Sequence, residues 1–169
     1  MVPIFVAVFL IPTVSDWWAL VLFVLAGLTD LLDGAIARKK NMVTDFGKLM
    51  DPLADKLMLT AALVCFTYAG LIHPAVTIVV ISRELLVTGL RTIAVSKGIV
   101  IAADFWGKLK TVAQDVTIIV ILVCQSWPMG TFHTFFSVLS TVCIWIMAVL
   151  TVISAVHYCV TNKNVFNNR

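Results

Sequence analysis

The chain has 169 residues, of which 61% are hydrophobic and only 12% are charged, and its mean hydropathy is +1.05. Soluble globular domains carry about 25% charged residues, so this composition excludes an ordinary soluble protein and indicates an integral membrane domain. The formal net charge of +3 is too small to suggest binding to nucleic acid. The four cysteines lie singly in apolar stretches, which predicts neither a disulfide framework nor a zinc site.

Apolar stretches separated by short polar turns predict six helices in a single domain that covers residues 1–169. A helix needs about 20 residues to cross a bilayer. The first apolar stretch, 2–14, is shorter than that, so either this helix is partial or the natural chain begins earlier. The five longer helices are predicted at 17–39, 44–70, 76–96, 105–126 and 132–158.

The basic residues indicate how these helices are oriented. Lys and Arg gather after the second helix, around the turn between the fourth and fifth, and in the C-terminal tail, whereas the turns around Asp16, His73 and Pro128 hold none. By the positive-inside rule, the basic turns and both termini face the cytoplasm. The sequence therefore predicts an all-α integral membrane protein. It is a six-transmembrane-helix bundle whose polar cavity opens to the cytoplasm, in a multi-pass cell-membrane protein.

Four carboxylates interrupt the second and third apolar helices. The stretch reads Asp30-x2-Asp33-Gly34-x2-Ala37-Arg38-x8-Gly47-x3-Asp51-x3-Asp55. At the bilayer centre, each ionised aspartate costs roughly 2.5–3.5 kcal/mol, so four uncompensated ones would destabilise insertion by about 10 kcal/mol. Two helices with buried ion pairs are the structural alternative, but they would need about as many basic partners and no glycines. The acids are therefore predicted to line a polar, functional cavity.

The spacing of this stretch points to metal-assisted chemistry on phosphates. Residues three and four apart share a helix face, so each half of the motif presents its acids on one side. Carboxylates from two helices form an oxygen-only ligand set that suits Mg²⁺ or Mn²⁺. Arg38 offers a planar donor fork for phosphate, and the small residues leave room beside it. Together these features predict a phosphoryl-transfer site.

The same stretch resembles, position for position, the signature of the CDP-alcohol phosphotransferases. These integral membrane enzymes displace CMP from a CDP-linked substrate with an alcohol. The resemblance implies two divalent ions, one held by Asp30, Asp33 and Asp51 and the other by Asp30, Asp51 and Asp55. It also implies that Asp55 is the general base that deprotonates the acceptor, and that the chain forms a homodimer. The implied nucleotide and CDP-diacylglycerol contacts are Gly34, Ala37, Arg38, Thr44 and Gly47. Family members commonly carry an Asn-x-x-Thr-x-x-Arg stretch before the first helix; its absence suggests an N-terminally incomplete chain.

A second set of charges lies on the fourth and fifth helices. Arg83 and Arg91 fall on one helix face, with Glu84 placed to tether one arginine, and Lys108 and Lys110 begin the fifth helix. Arg83 is about 21 Å of helix from the basic turn that follows the fourth helix, too far to reach the cytoplasmic surface. The four cations are predicted to bind the phosphate of the acceptor. A cytoplasmic anchor is the alternative for the two lysines.

The Ser-Arg-Glu-x4-Gly-Leu-Arg and Gly-Lys-x-Lys-Thr stretches resemble the family members whose acceptor is glycerol 3-phosphate. The resemblance implies transfer of the phosphatidyl group from CDP-diacylglycerol to glycerol 3-phosphate by direct displacement, with release of CMP and formation of phosphatidylglycerophosphate. A related enzyme with another acceptor, such as inositol phosphate or serine, would share the acidic motif and is an open alternative. A divalent-cation transporter would not need the Gly34, Ala37 and Arg38 set, and a non-catalytic membrane scaffold would tolerate replacement of all four acids.

Overall fold

The protein is all-helical throughout the residues that the structure describes, in agreement with the sequence prediction. The computed structural model describes the backbone of residues 1–11, 16–39, 45–96, 105–126 and 131–161, and the side chains of 1–11, 17–29, 56–94, 105–126 and 133–161. Each of the five long helices lies within three residues of its predicted bounds. The helices are α1 (Val2–Leu10), α2 (Asp16–Lys39), α3 (Asp45–Tyr68), α4 (Pro74–Ser96), α5 (Phe105–Ser126) and α6 (Thr131–Thr161).

Helix α3 ends two residues earlier than its apolar pattern predicts, because Gly70 adopts a left-handed conformation with φ of 74°. The amide of Leu71 donates to the carbonyl of Phe66 at 2.8 Å, and the amide of Gly70 donates to the carbonyl of Thr67 at 3.1 Å. This pair of hydrogen bonds is the Schellman arrangement, which satisfies the last carbonyls of a helix and requires a left-handed residue. Gly70 is therefore a helix stop.

Replacing Gly70 by alanine is expected to destabilise the protein by about 1 kcal/mol, because a Cβ is unfavourable in the left-handed region. For a chain of this size, this loss lowers the melting temperature by about 2–4 °C. Gly89→Ala is the matched control, since Gly89 lies inside α4 and nothing stands within 4 Å of an added Cβ. Thermal unfolding in detergent, followed by intrinsic fluorescence, measures both variants. A Gly70→Ala melting temperature equal to that of Gly89→Ala would contradict the prediction.

Helix α4 begins two residues before its predicted start, at Pro74. Proline favours the first position of a helix because its fixed φ is already helical and its missing N–H needs no partner. The ring of His73 caps this end, since its Nδ1 accepts a hydrogen bond from the amide of Ala75 at 3.2 Å. The carbonyl of His73 also accepts from the amide of Val76 at 2.9 Å. These local contacts extend the helix beyond its apolar stretch.

Two pairs of consecutive helices, α3 with α4 and α5 with α6, pack antiparallel. Lys56, near the middle of α3, contacts Thr88 of α4, and Thr67, near the end of α3, hydrogen-bonds to Thr77 near the start of α4. The two helices therefore run in opposite directions. Between α5 and α6, the rings of Trp106 and His157 approach to 6.5 Å. Further along, Thr117 donates to the carbonyl of Cys143 at 3.2 Å. In addition, α5 contacts α2 and α4 contacts α6, while α1 packs against α2 and α3.

The apolar core fills one end of this bundle. The ring of Phe5 lies 6.2 Å from that of Phe23, and the ring of Phe9 lies 5.6 Å from that of Phe66, which fixes α1 against α2 and α3. The core continues across the C-terminal half of α5 and the middle of α6; its members include Leu63, Phe66, Val80, Ile118, Leu122 and Met147. All four cysteines are free, as predicted. The other end of the bundle holds the buried charges.

Among the described residues, one helix is long and apolar enough to cross a bilayer. It is the segment His133–Thr161 of α6, which has 29 residues and contains an 18-residue stretch with a mean hydropathy of 2.4. At 1.5 Å per residue it measures about 43 Å, more than the roughly 30 Å of a hydrocarbon core. Shorter apolar segments occur at Trp17–Thr29 in α2 and Lys56–Tyr68 in α3. Many large apolar side chains of α6 face outward, including Phe135, Val142, Trp145, Val149 and Val156.

Candidate active site

The acidic motif lies on two of the helices. The backbone of α2 contains Asp30, Asp33, Gly34, Ala37 and Arg38, and that of α3 contains Gly47, Asp51 and Asp55. The helical periodicity on which the metal prediction depends is therefore present in the backbone. The side chains of these residues, and Thr44 as a whole, lie outside the described residues. Among the described side chains, no group of three or more His, Cys, Asp or Glu could hold a metal ion.

Arg83 is buried within the bundle. Its side chain is 8% exposed, although it carries a full positive charge. The Nη2 atom donates a 2.6 Å hydrogen bond to Oγ of Ser154, which joins α4 to α6. The Nε atom is also buried and has no hydrogen-bond partner among the described residues. A buried guanidinium with an unused donor is energetically unfavourable, so it favours an anionic ligand at this position.

Glu84 holds the second buried cation. Its Oε1 accepts from Nζ of Lys110, and the same oxygen lies 3.5 Å from Nη1 of Arg83. Lys110 is 3% exposed, so its ammonium group is removed from solvent. The prediction that Glu84 tethers an arginine is confirmed, and the carboxylate also binds a lysine from another helix. Arg83, Glu84, Lys110 and Ser154 are here called the buried polar cluster.

A further lysine links the buried polar cluster to the acidic helix. Lys56 donates through Nζ to Oγ1 of Thr88, and that hydroxyl donates to the carbonyl of Glu84 at 2.7 Å. Lys56 directly follows Asp55 in the chain. The acidic helix α3 therefore passes beside the part of α4 that carries the cluster. Among the described contacts, two cations, Arg83 and Lys110, share the one carboxylate of Glu84, and this local excess of positive charge suits an anion.

Of the four cations that the sequence assigns to one phosphate site, two are buried and two are exposed. Arg83 and Lys110 come together around Glu84, whereas Arg91 and Lys108 are exposed. Arg91 lies two turns beyond Arg83 along α4, and Lys108 lies two residues before Lys110 on α5. Both exposed cations are thus nearer to the end of the bundle at which α4 ends and α5 begins.

Comparison with known protein families matches residues 1–161 to the CDP-alcohol phosphatidyltransferases. The chain belongs to this family. The resemblance that the acidic motif suggested is thereby confirmed, and the match extends from the motif over nearly the whole chain.

Several curated relatives share the same name, CDP-diacylglycerol--glycerol-3-phosphate 3-phosphatidyltransferase. The Bacillus subtilis protein is 38% identical over 94% of this chain and 86% of its own length. The Haemophilus influenzae protein is 34% identical over 94% of this chain and 84% of its own length. The Rickettsia felis protein is 32% identical over 86% of this chain and 78% of its own length.

Within this member of the CDP-alcohol phosphatidyltransferase family, sequence reasoning missed Lys56, Thr88 and Ser154. Lys56 could have been found from the sequence. A charged side chain in an apolar helix is energetically costly, and the same argument singled out Arg83. Ser154 and Thr88 gave no signal. Hydroxyl side chains in helices usually donate to the carbonyl four residues earlier, as Thr92 and Thr151 do here. Only the packed helices reveal which hydroxyl meets a charge.

Proposed function

We propose that the protein transfers the phosphatidyl group from CDP-diacylglycerol to glycerol 3-phosphate, releasing CMP and forming phosphatidylglycerophosphate. The observation that carries this proposal is the buried polar cluster, in which Arg83 and Lys110 converge beside the helix that bears Asp55. Membership of the family supports the use of a CDP-linked donor. The shared name of the curated relatives supports glycerol 3-phosphate as the acceptor.

In this proposal, the buried polar cluster receives the phosphate of the acceptor. Arg83 and Lys110 supply charged donors in a region closed to solvent, where such hydrogen bonds are stronger than in water. Glu84 keeps both cations in position when the site is empty. The exposed residues Arg91 and Lys108 attract the anion and complete its phosphate site from the cytoplasmic end. Ser154 fixes the plane of the Arg83 guanidinium.

The donor is proposed to bind along the acidic motif. The four carboxylates Asp30, Asp33, Asp51 and Asp55 form a hard oxygen ligand set, which suits Mg²⁺ or Mn²⁺ and accommodates two ions. When bound, the ions offset the charge that develops on the phosphates as CMP leaves. Asp55 accepts the proton of the acceptor hydroxyl as that oxygen attacks the β-phosphorus of the donor. Arg38 and Thr44 contact the pyrophosphate, and Gly34, Ala37 and Gly47 leave space for the nucleotide.

We further propose that the chain crosses the membrane six times as a homodimer, with the active site and both termini on the cytoplasmic side. The outward-facing apolar side chains of α6 suit a lipid environment. Lys and Arg lie in the turns at one end of the predicted bundle and are missing from the turns at the other end, which supports this orientation. CDP-diacylglycerol would then keep its acyl chains in the lipid while its nucleotide enters the cavity from the cytoplasmic side.

The test of this function is CMP release from CDP-diacylglycerol by purified protein in detergent, with a series of alcohols and with or without EDTA. CMP release is expected with glycerol 3-phosphate. EDTA should abolish this release, and an excess of Mg²⁺ or Mn²⁺ should restore it. Release only with inositol phosphate or serine would keep the enzyme class and change the acceptor. Folded protein that releases no CMP, but carries divalent cations into liposomes, would overturn the proposal.

A further inference from the structure

Gln114 is buried without a hydrogen-bond partner. Its side chain is 1% exposed, and neither Nε2 nor Oε1 has a partner among the described residues. Two buried hydroxyls of α5 and α6, by contrast, are satisfied: Thr117 donates to the carbonyls of Ala113 and Cys143, and Thr151 donates to the carbonyl of Met147. An amide that loses its hydrogen bonds to water and gains none is unfavourable, and such groups mark places where a ligand or water binds.

The position of Gln114 along α5 suggests which ligand satisfies it. Lys110 precedes it by one helical turn on the same face, and Ile118, which is fully buried in the apolar core, follows it by one turn. Gln114 therefore lies at the boundary between the buried polar cluster and the apolar core. A molecule held by Arg83 and Lys110 would meet this amide at the inner end of its site.

We infer that Gln114 recognises the hydroxyl of the acceptor that does not react. This inference rests on the proposed function. A three-carbon phosphate monoester spans about one helical turn of roughly 5.4 Å, so an acceptor whose phosphate is held at Lys110 reaches the next turn of α5. Lys56 brings the helix of Asp55 to the same part of the bundle, which leaves the other hydroxyl free to attack the donor.

The chemistry of the amide matches a hydroxyl group. Its oxygen accepts and its nitrogen donates, and a hydroxyl can do both with one neighbour. A site built to bind a hydroxyl rejects an analogue that lacks it, because the buried amide is then left unsatisfied. Gln114 is thus a specificity-determining residue. The acceptor class is a polyol with one phosphate group and no other charged group. An amino-acid acceptor would place an ammonium or a carboxylate against the amide instead.

The experiment compares two acceptors on two proteins. One acceptor is glycerol 3-phosphate and the other is 3-hydroxypropyl phosphate, which keeps the phosphate and the terminal hydroxyl but lacks the secondary one. The wild-type protein is expected to prefer glycerol 3-phosphate by about 10- to 100-fold in kcat/KM. In Gln114→Met, which keeps an unbranched side chain of similar size, the preference is expected to fall to about 1- to 3-fold. The loss should appear mainly as a higher KM for glycerol 3-phosphate.

The melting temperature distinguishes recognition from a structural role. Because the Gln114 side chain has no hydrogen-bond partner among the described residues, Gln114→Met is expected to melt at the wild-type temperature or above. Gln125→Met, on the half-buried surface of the same helix, is the control and should keep the wild-type preference. A destabilised or unfolded Gln114→Met, or one with an unchanged preference, would overturn the inference. Failure of the proposed function is a different result: the wild-type protein would then release no CMP with glycerol 3-phosphate.

Discussion

Replacing Asp55 by asparagine is expected to abolish CMP release, with a loss of at least about 100-fold in kcat. Asparagine keeps the size of the side chain but cannot accept a proton from the acceptor hydroxyl, and general base catalysis contributes about 10²- to 10⁴-fold. The same change removes one anionic oxygen from the proposed metal site, so its effect adds to that loss. The nucleotide of the donor is expected to bind still, because the proposed pyrophosphate contacts come from Arg38 and Thr44.

Two measurements separate these effects. Single-turnover CMP release gives the rate of the chemical step, and a thermal-shift titration with CDP-diacylglycerol in detergent reports donor binding. Asp16→Asn is the matched control, since Asp16 begins α2 at the opposite end of that helix from Lys39, and it should keep wild-type activity. An Asp55→Asn protein that turns over at the wild-type rate would remove Asp55 from the role of general base. A variant that also fails to bind donor would reassign the residue to donor binding.

Much of the fold was readable from the sequence because apolar length and turn residues decide where membrane-type helices begin and end. The remaining differences come from local hydrogen bonds rather than from hydropathy. Gly70 ends α3 through a left-handed cap, and His73 and Pro74 start α4 two residues early. A hydropathy pattern does not contain these contacts, since they depend on backbone donors and acceptors that every residue carries.

The candidate site was only partly readable. Intramembrane charge is costly, so Arg83 and the four aspartates could be singled out, one residue at a time, as candidate site residues. The partners of Arg83 could not, because the contact with Ser154 joins residues 71 positions apart and the contact between Glu84 and Lys110 joins residues 26 positions apart. Sequence spacing predicts which residues share a helix face, whereas the choice between Lys108 and Lys110 as the buried lysine depends on how α5 is rotated against α4.

Replacing Arg83 by glutamine is expected to lower kcat/KM for glycerol 3-phosphate by about 30- to 150-fold. The change removes a buried charge that donates to Ser154 and stands beside Glu84. A charge-assisted hydrogen bond from the guanidinium to the acceptor phosphate would contribute about 2–3 kcal/mol to acceptor binding. Each 1.4 kcal/mol corresponds to a factor of ten in affinity. The loss is expected in KM for the acceptor, while KM for CDP-diacylglycerol stays near its wild-type value, because the proposed function assigns Arg83 to the acceptor site.

A graded series tests whether the guanidinium acts through its charge or through its geometry. Arg83→Lys keeps the charge but loses the planar fork, so its defect should be intermediate. Ser154→Ala keeps the whole guanidinium and loses only one hydrogen-bond acceptor. It should therefore lower kcat/KM for glycerol 3-phosphate by roughly 5-fold, or about 1 kcal/mol. Arg169→Gln, at the last residue of the chain, controls for net charge and should behave as the wild type. Initial rates at varied acceptor and fixed donor order the series. If Arg83→Gln raised KM for the donor instead, the buried polar cluster would bind the CDP-linked phosphates and not the acceptor.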